Sequence, residues 1–510
     1  MLYKMTDQKI GFDNGKYLKE QSESILNRAA QFGNKLYLEF GGKLVYDYHA
    51  SRVLPGFDPN VKMQLLKELK EKIEVIICIY SGDIERRKIR ADFGITYDLN
   101  VMKLIDDLRD GEIKVSGVVV TRYNGQQIVK QFMNKLERRN IKVYTHKLIR
   151  GYPTDIDFII SQDGYGANPY IETSKPIIIV TAPGPGSGKL ATCLSQIYHE
   201  HIKGIDAGYA KFETFPIWNL PLKHPVNMAY ESATADLGDF NQVDPFHLEA
   251  YNIKAVNYNR DVEIFPVVKK IMQRIMDSSL VYKSPTDMGV NKAGFAIIND
   301  DIVQQAAKQE LIRRYLRYSC EYMMGVSDKK TVQRAELLMK ELNLTVLDRK
   351  VVNEARQASI AAKNKGKGNE GVFAGAALQL ADGKIITGSN SPLLHAASSL
   401  ILNTIKILAG IPKNIHLLSP NILESISYLK SEIFNNKRLS LNLEETLIAL
   451  SISADFNHSA KVAIDKLKEL SRCEMHSTHI PTPGDEAGLR RLGLNITSDP
   501  NFSSKSLFIT

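Results

Sequence analysis

Apolar residues between about residues 35 and 200 fall into short, dense runs that alternate with stretches of helical spacing. Runs rich in Val and Ile, such as Val75–Ile79 and Ile177–Val180, are typical of strands buried on both faces. Because helical stretches separate these runs, the pattern predicts an α/β fold with a doubly wound parallel sheet. The predicted strands are Lys35–Lys43, Val75–Ile79, Gly117–Arg122, Ile141–Thr145, Asp157–Ile160 and Ile177–Val180.

The chain of 510 residues is too long for one hydrophobic core, so we expect several domains. Residues 1–262 are predicted to form an α/β domain of the phosphate- or nucleotide-binding type. Residues 263–345 have mainly helical spacing and are predicted to form a helical middle segment. Residues 346–510 are predicted to form a second α/β domain with a polar C-terminal tail.

The strand Ile177–Val180 runs into a loop of Gly, Pro and Ser that ends at Lys189, where a helical pattern begins. Glycines at 184, 186 and 188 allow a tight turn with exposed N–H groups. The start of the next helix and the Lys189 ammonium would face the same point, as in a phosphate-binding loop. The sequence therefore predicts a P-loop-like strand–loop–helix in which Lys189 neutralises phosphate. The predicted phosphate contacts are Gly184, Gly186, Ser187, Gly188, Lys189 and Thr192.

The match to a Walker A loop is incomplete. That motif begins with Gly and carries Ser or Thr after the lysine, whereas this chain has Pro183 and Leu190 at those positions. The hydroxyl that usually binds magnesium is missing, and Ser187 or Thr192 would have to replace it. The alternative is a glycine-rich turn that only closes a β–α unit.

A basic stretch, Ser81–Arg90, directly follows the predicted strand Val75–Ile79. The carboxyl ends of parallel strands are where such sheets bind ligands. Arg86 and Arg90 are therefore predicted to contact phosphate or carboxylate groups of the ligand. The alternative is a solvated helix face.

The C-terminal pattern contains a hairpin over Gly371–Gly388, a helix after His395, and a predicted strand Ile415–Ser419 followed by Pro420. This order resembles the zinc-dependent nucleoside and nucleobase deaminase fold, whose signature is His-x-Glu and Pro-Cys-x-x-Cys. In this chain the glutamate position is Ala397, and the two cysteine positions are Asn421 and Glu424. The resemblance therefore implies the fold only; we expect neither zinc nor deaminase activity.

The C-terminal tail concentrates polar side chains between Cys473 and Arg491. Two histidines lie three residues apart, and an Asp-Glu pair follows them. His476, His479 and Asp485 are predicted as catalytic candidates on a ligand-contacting loop, together with Lys189. A structural tail is the alternative, and the sequence does not decide whether a metal is bound.

Composition restricts the function in other ways. A net charge of +9 comes from scattered lysines and arginines, so nucleic-acid binding is not expected. The four cysteines include no close pair, and no apolar run approaches the roughly 20 residues of a membrane helix. With no secretory apolar region near Met1, these features predict a cytoplasmic protein that does not bind membranes.

Several motifs together resemble a known bacterial family, the uncharacterised protein family 0371. They are Gly11–Asn14, Leu38–Lys43, Asp47–Gly56, Thr181–Lys189 and Thr478–Asp485. The resemblance spans nearly the whole chain and implies a bacterial cytoplasmic protein of several domains, without an established activity. Some members carry an ATP-dependent peptidase label. Peptidase activity is not expected, because the chain has no His-Glu-x-x-His motif and no Gly-x-Ser-x-Gly motif.

The leading hypothesis is an enzyme that binds a nucleotide or another phosphorylated small molecule, with ATP and magnesium as the first candidates and phosphoryl transfer as the reaction class. One alternative is a non-catalytic nucleotide-binding or scaffold protein. Another is an enzyme that acts on a phosphorylated substrate other than a nucleotide. The sequence leaves the substrate and a homo-oligomeric state open.

Overall fold

The structure is a computed structural model that describes residues 10–33, 35–90, 94–276, 282–436 and 438–504. The described residues form two compact units, one within residues 9–307 and the other within residues 308–510. None of the helices in these ranges combines the length and the apolar character that a membrane span requires.

The N-terminal unit is built on a six-stranded sheet in which every pairing is parallel, in the order β6-β5-β2-β7-β1-β8. The predicted parallel sheet is thus confirmed. The β-branched run Ile177–Val180 is fully buried between two neighbours, as its composition predicts. The strands of this unit are β1 Leu36–Phe40, β2 Ile73–Tyr80, β3 Ile89–Arg90, β4 Ile95–Thr96, β5 Val115–Thr121, β6 Val143–His146, β7 Ile177–Thr181, β8 Gly208–Phe212, β9 Asn241–Val243 and β10 Val256–Tyr258.

Helices cover both faces of this sheet. The rings of Phe40 and Phe212 stack 4.0 Å apart on one face, where Lys62 of α3 lies over Phe212. Glu39 and Tyr209 lie on the opposite face, which α8 covers. The helices of this unit are α1 Asn14–Ala30, α2 Tyr48–Val53, α3 Val61–Glu68, α4 Ser81–Glu85, α5 Tyr97–Asp110, α6 Gln127–Glu137, α7 Ile156–Ile159, α8 Lys189–Ile202, α9 Pro225–Ala233, α10 Pro245–Tyr251, α11 Asn259–Met276 and α12 Pro285–Met288.

One predicted strand of this unit is wrong. Residues Asp157–Ile160 lie in and just after the short helix α7 instead of in the sheet. The Asp155 carboxylate accepts a hydrogen bond of 3.1 Å from the Phe158 amide, which caps the helix at its start. This local cap outweighs the strand preference of the apolar side chains.

The C-terminal unit has a four-stranded sheet in the order β12-β11-β13-β14. The β11–β12 hairpin is antiparallel as predicted, β11 pairs antiparallel with β13, and β13 pairs parallel with β14. The strands are β11 Gly375–Gln379, β12 Ile385–Ser389, β13 Glu474–Ser477 and β14 Asn495–Ser498. The helices are α13 Asp300–Met323, which contains the boundary between the units, α14 Lys329–Glu341, α15 Lys350–Asn364, α16 Ala396–Leu408, α17 Pro420–Tyr428, α18 Leu443–Ser453, α19 His458–Asp465 and α20 Pro483–Arg491, with a π-helical turn over Leu429–Ile433.

The strand predicted over Ile415–Ser419 is also wrong, since this segment joins no sheet. The side-chain amide of Asn457 donates a hydrogen bond of 2.9 Å to the carbonyl of His416. This carbonyl is therefore bonded to a side chain instead of to the backbone of a neighbouring strand. The strand next to the hairpin is β13, which begins at Glu474 inside the segment predicted as a polar tail.

Candidate functional site

The connections of the parallel sheet diverge between two neighbouring strands, β2 and β7. From β2 the chain passes through α5 to β5 on one side, and from β7 it passes through α8 to β8 on the other. Because right-handed connections in opposite directions place α5 and α8 on opposite faces, a crevice is expected at the carboxyl ends of these two strands. Open α/β sheets bind their ligands at such a switch point.

The loop Gly184–Lys189 lies at this switch point, directly after β7. Gly186 and Gly188 have φ angles of 68° and 84°, a left-handed conformation that favours glycine. Protein donors hold the loop carbonyls: the Ser187 hydroxyl donates to Gly184 at 2.6 Å, and the Thr121 hydroxyl donates to Ser187 at 2.8 Å. The loop therefore has a defined shape that its own side chains and β5 maintain.

The start of α8 carries no capping side chain, because its N-cap residue is Gly188. The first N–H groups of a helix have no partner within the helix, and the helix dipole makes this end positive. In a helix of 14 residues this combination favours an anion beside the loop.

Two arginines, one after β5 and one after α4, lie on the side of the loop where β2 ends. The Arg122 guanidinium donates to the Gly186 carbonyl and lies 3.5 Å from the centre of the Tyr80 ring. Arg86 lies 5.8 Å from the same ring and pairs with Asp83. The structure therefore places the predicted contact Arg86 near the loop through a shared aromatic ring. Arg90 lies on β3, and its side chain is outside the described part of the structure.

Lys189 is directed toward the end of β1 rather than toward solvent. Its ammonium lies 3.8 Å from the carboxylate of Glu39 on β1, and Glu39 also accepts a hydrogen bond of 2.8 Å from the Tyr209 hydroxyl on β8. Thr192, the other predicted loop contact, is fully buried and accepts from the Cys78 thiol at 3.4 Å. Lys189 therefore joins the loop to the polar groups at the ends of β1 and β8.

Three further charged groups meet at the end of β8. The Lys211 ammonium lies 3.0 Å from Glu213 and 2.5 Å from Asp261, which lies in the first turn of α11. Lys211 pairs in register with Glu39 on the neighbouring strand. We call Glu39, Lys189, Lys211, Glu213 and Asp261 together the carboxyl-edge cluster.

The protonation equilibrium of Glu213 is shifted by its surroundings. Burial raises the pKa of Glu213 to about 7, the positive charge of Lys211 opposes this rise, and the negative charges of Asp261 and Glu39 add to it. A carboxyl group with a pKa near neutrality can both take up and release a proton at physiological pH.

Gly41 leaves the space that Glu213 occupies. A β-carbon at Gly41 would lie 2.5 Å from Cγ of Glu213 and 2.8 Å from its Oε1. The absence of a side chain at the end of β1 thus lets the Glu213 side chain lie across that end.

The C-terminal candidates each have their own partners within the C-terminal unit. Nδ1 of His395 lies 2.7 Å from Asp485, which also accepts from the Leu443 amide at 2.9 Å. His476 is fully buried, with Nδ1 3.0 Å from the Thr497 hydroxyl, and burial lowers its pKa. His479 lies 2.9 Å from the Thr478 hydroxyl, and burial lowers its pKa as well.

No three His, Cys, Asp or Glu side chains within the described ranges are arranged to hold a metal ion. The structure thus brings the predicted loop residues together with Arg86, and it places His476 in a buried strand rather than on a loop.

Sequence reasoning missed Arg122, Glu39, Lys211, Glu213 and Asp261 as site residues. Glu39 lies in a strand pattern that ends in a glycine pair. Glu39 and Lys211 lie near the carboxyl ends of their strands, and this position was the sequence feature that could have indicated a role in the site.

Comparison with known proteins gives a match over nearly the whole chain. Residues 10–343 match the family model "Domain of unknown function DUF1846, N-terminal", and residues 347–508 match its C-terminal counterpart. A UPF0371 protein of Clostridium botulinum (strain Eklund 17B / Type B) is 58% identical over 500 residues, which cover 98% of this chain and 99% of that protein. A UPF0371 protein of Clostridium tetani (strain Massachusetts / E88) is 57% identical over the same shares.

Proposed function

The chain belongs to the UPF0371 family, and we propose that its loop Gly184–Lys189 binds the phosphate groups of a phosphorylated ligand, with ATP as the first candidate. The observation that carries this proposal is the position of the loop at the switch point between β2 and β7. A glycine-rich turn that only closes a β–α unit could follow any strand of the sheet and would not have to lie at the switch point.

The charges around the loop support a phosphate ligand. The uncapped start of α8 supplies N–H groups, and the guanidinium of Arg122 lies beside Gly186. Arg122 has a φ of 52°, a conformation that costs a non-glycine residue free energy and that often occurs at functional sites. We assign Arg122 and Arg86 to the outer phosphate oxygens, and Lys189 to the side of the phosphate that faces Glu39.

Magnesium fits the loop less well than phosphate does. Walker loops bind Mg²⁺ through a hydroxyl next to the lysine, and here the Thr192 hydroxyl is buried beneath the loop with Cys78. The Ser187 hydroxyl donates to the Gly184 carbonyl. We therefore propose no magnesium contact at the loop, and binding is measured both with and without magnesium.

Phosphoryl transfer is the reaction class that we propose for this site. Such transfer depends mainly on positioning and on stabilisation of charge, which a helix start and three cations can supply. A non-catalytic protein that binds nucleotides remains the rival, and turnover distinguishes the two.

The test is calorimetric titration of the full chain with ATP, ADP, inorganic phosphate and a sugar phosphate, each with and without magnesium. We expect binding of at least one of these ligands. Lys189→Ala and Arg122→Ala should each weaken that binding by about tenfold or more, because a charge-assisted hydrogen bond contributes about 1.5–3 kcal/mol.

Exposed basic residues in the last turn of α6 and just after it provide matched controls. Lys135→Ala and Arg139→Ala remove the same charges at the end of α6 that is farther from the switch point, and binding should then stay within about twofold. Sugar phosphate bound in preference to ATP would identify a substrate other than a nucleotide. If none of the four ligands binds, the proposal is refuted.

For the C-terminal unit we propose a deaminase-like fold without deaminase chemistry. Its support is the order of the sheet, with a hairpin, α16 after His395, then β13 and a helix that begins at Pro483. Pro483 then takes the place of the proline in Pro-Cys-x-x-Cys, instead of Pro420. The two cysteine positions of that motif are therefore Gly484 and Ala487, and the glutamate position of His-x-Glu remains Ala397. Metal analysis of the purified chain tests this, since stoichiometric zinc would contradict it.

A further inference from the structure

We propose that Glu213 is the general base of this site and accepts the proton of the hydroxyl group that attacks the bound phosphoryl group. The proposal rests on the proposed binding of phosphate at the loop Gly184–Lys189, and it adds the acceptor side of the reaction. The geometry that supports it is the carboxyl-edge cluster, which extends from the loop to the end of β8.

The cluster is continuous with the loop. Lys189 contacts Glu39 at 3.8 Å, and Glu39 pairs in register with Lys211, which contacts Glu213 at 3.0 Å. Because β1 lies between β7 and β8, the ends of β7 and β8 are two strand spacings apart, or about 10 Å. A phosphoryl group at the start of α8 and an acceptor over Glu213 would therefore lie at the same edge of the sheet, within reach of each other through the side chains of the cluster.

Alternation along β8 places the relevant groups on one face. Tyr209 and Lys211 occupy alternate positions of β8 and point to the face that α8 covers, and Glu213, one residue after the end of β8, contacts Lys211 at 3.0 Å. The starts of α8 and α11 contribute Lys189 and Asp261 to the same group. These residues come from three segments that are far apart in the sequence, and the fold alone brings them together.

Among the three carboxylates of the cluster, Glu213 is the best placed to reach an acceptor. Its side chain is 22% exposed, compared with 11% for Glu39 and 13% for Asp261. Glu39 is held by Lys189 and Tyr209, and Asp261 is held by Lys211 at 2.5 Å. Glu213 therefore combines access with contact to the cluster.

The groups that face Glu213 explain how it can hold and release a proton. They are Lys211 on its own strand, Asp261 on α11, Glu39 on β1 and Tyr258 on β10. Burial with the two carboxylates raises the pKa of Glu213 to about 7 against the opposing charge of Lys211. At neutral pH a substantial fraction is therefore ionised and ready to accept a proton.

In the proposed step, the oxygen of the acceptor hydroxyl forms a bond to phosphorus, and the bond between phosphorus and the leaving oxygen breaks. The electron pair of that bond remains on the leaving phosphate. The hydroxyl proton passes to the Glu213 carboxylate, which later returns it to solvent or product. With ATP as donor and water as acceptor, the products are ADP and inorganic phosphate.

The test combines ATP calorimetry with phosphate release by the full chain, using wild type, Glu213→Gln, Glu213→Asp and the control Glu137→Gln, an exposed residue on α6. We expect Glu213→Gln to lower kcat by about 100-fold or more, with ATP affinity within about twofold of wild type. Glu213→Asp should recover part of the rate, and Glu137→Gln should leave it unchanged.

The dependence of the rate on pH distinguishes a general base from a residue with only a structural role, because a structural role of Glu213 would not change this dependence. The wild-type rate should rise as the pH passes through about 7, because only ionised Glu213 accepts a proton, and Glu213→Gln should lose this rise. Gly41→Ala, which displaces Glu213, should lower kcat while ATP affinity is retained.

The outcomes separate the two proposals. If ATP binds and Glu213→Gln releases phosphate at the wild-type rate, the base role is overturned and the binding site stands. ATP binding without any turnover in wild type overturns the base role too. If ATP does not bind to wild type at all, the proposed nucleotide function fails, and the base role fails with it.

Discussion

The two left-handed glycines of the loop allow a test of its geometry within one short segment. Gly188 has a φ of 84°, and a β-carbon there would lie 2.8 Å from Cγ2 of Thr121 and 3.0 Å from its Cβ. Gly186 has a φ of 68°, but a β-carbon there would meet no atom within 4 Å. Replacing each by alanine therefore separates backbone strain from steric conflict.

The expected free energies of unfolding follow from these contacts. Gly186→Ala should lower stability by about 1–2 kcal/mol, the cost of a left-handed conformation for an L-residue. Gly188→Ala has the same strain and must also displace Thr121, which is buried and donates to the Ser187 carbonyl at 2.8 Å. Loss of that hydrogen bond adds about 1 kcal/mol, so we expect about 2–4 kcal/mol in total.

The assay is urea denaturation followed by the fluorescence of Trp218, the only tryptophan, which lies in the same unit as the loop. Gly188→Ala should shift the transition to lower urea by clearly more than Gly186→Ala does. Equal shifts for the two variants, or an unchanged midpoint for Gly188→Ala, would refute the packing of the loop against β5.

Three other predictions concern buried charges and thiols. Burial alone would raise the pKa of Glu474, but the positive charges of Arg313 and Arg349 outweigh this effect and lower the pKa from 4.5 to about 2. The ionised carboxylate therefore stabilises the fold fully above pH 4.5, and this stabilisation is lost as the pH falls toward 2. Its side chain is 32% exposed, which reduces the contribution to about 2–3 kcal/mol. Glu474→Gln should cost this amount in urea denaturation at pH 7 and less than half of it, about 1 kcal/mol, at pH 3, and an equal cost at both would contradict the reasoning. Asp47→Asn should cost about 3–5 kcal/mol in the same assay, because it leaves the ammonium of Lys62 buried without its 2.9 Å partner, and a cost below 1 kcal/mol would exclude that pair. All four cysteines are buried, so a thiol reagent should modify them only after denaturant is added, and rapid labelling of the native protein would contradict their burial.

The sequence predicts the central strands and the loop because their signals are local. The β-branched run Ile177–Val180 can only be a buried strand, and Gly188-Lys189 marks the turn into a helix. The segments Asp157–Ile160 and Ile415–Ser419 have apolar residues too, but side chains of Asp155 and Asn457 take up their backbone groups. Such contacts are not visible in an apolar pattern.

The carboxyl-edge cluster could not be predicted in the same way. Glu39, Lys189 and Glu213 are separated by long stretches of chain, and their proximity depends on the insertion of β7 between β2 and β1. Strand order of this kind is set by packing over the whole sheet, not by any local pattern. By contrast, the fold separates the polar tail into a buried strand at His476 and a capped helix near Asp485.

The most direct test of phosphate binding at the loop is a spectrum of the full chain labelled with ¹⁵N-glycine, recorded with and without ATP. The Gly186→Ala variant assigns one loop amide by its absence. The account predicts that the amide signals of Gly186 and Gly188 shift on addition of ATP, and that Lys189→Ala abolishes the shift. ATP binding that leaves both of these amides unmoved would contradict it.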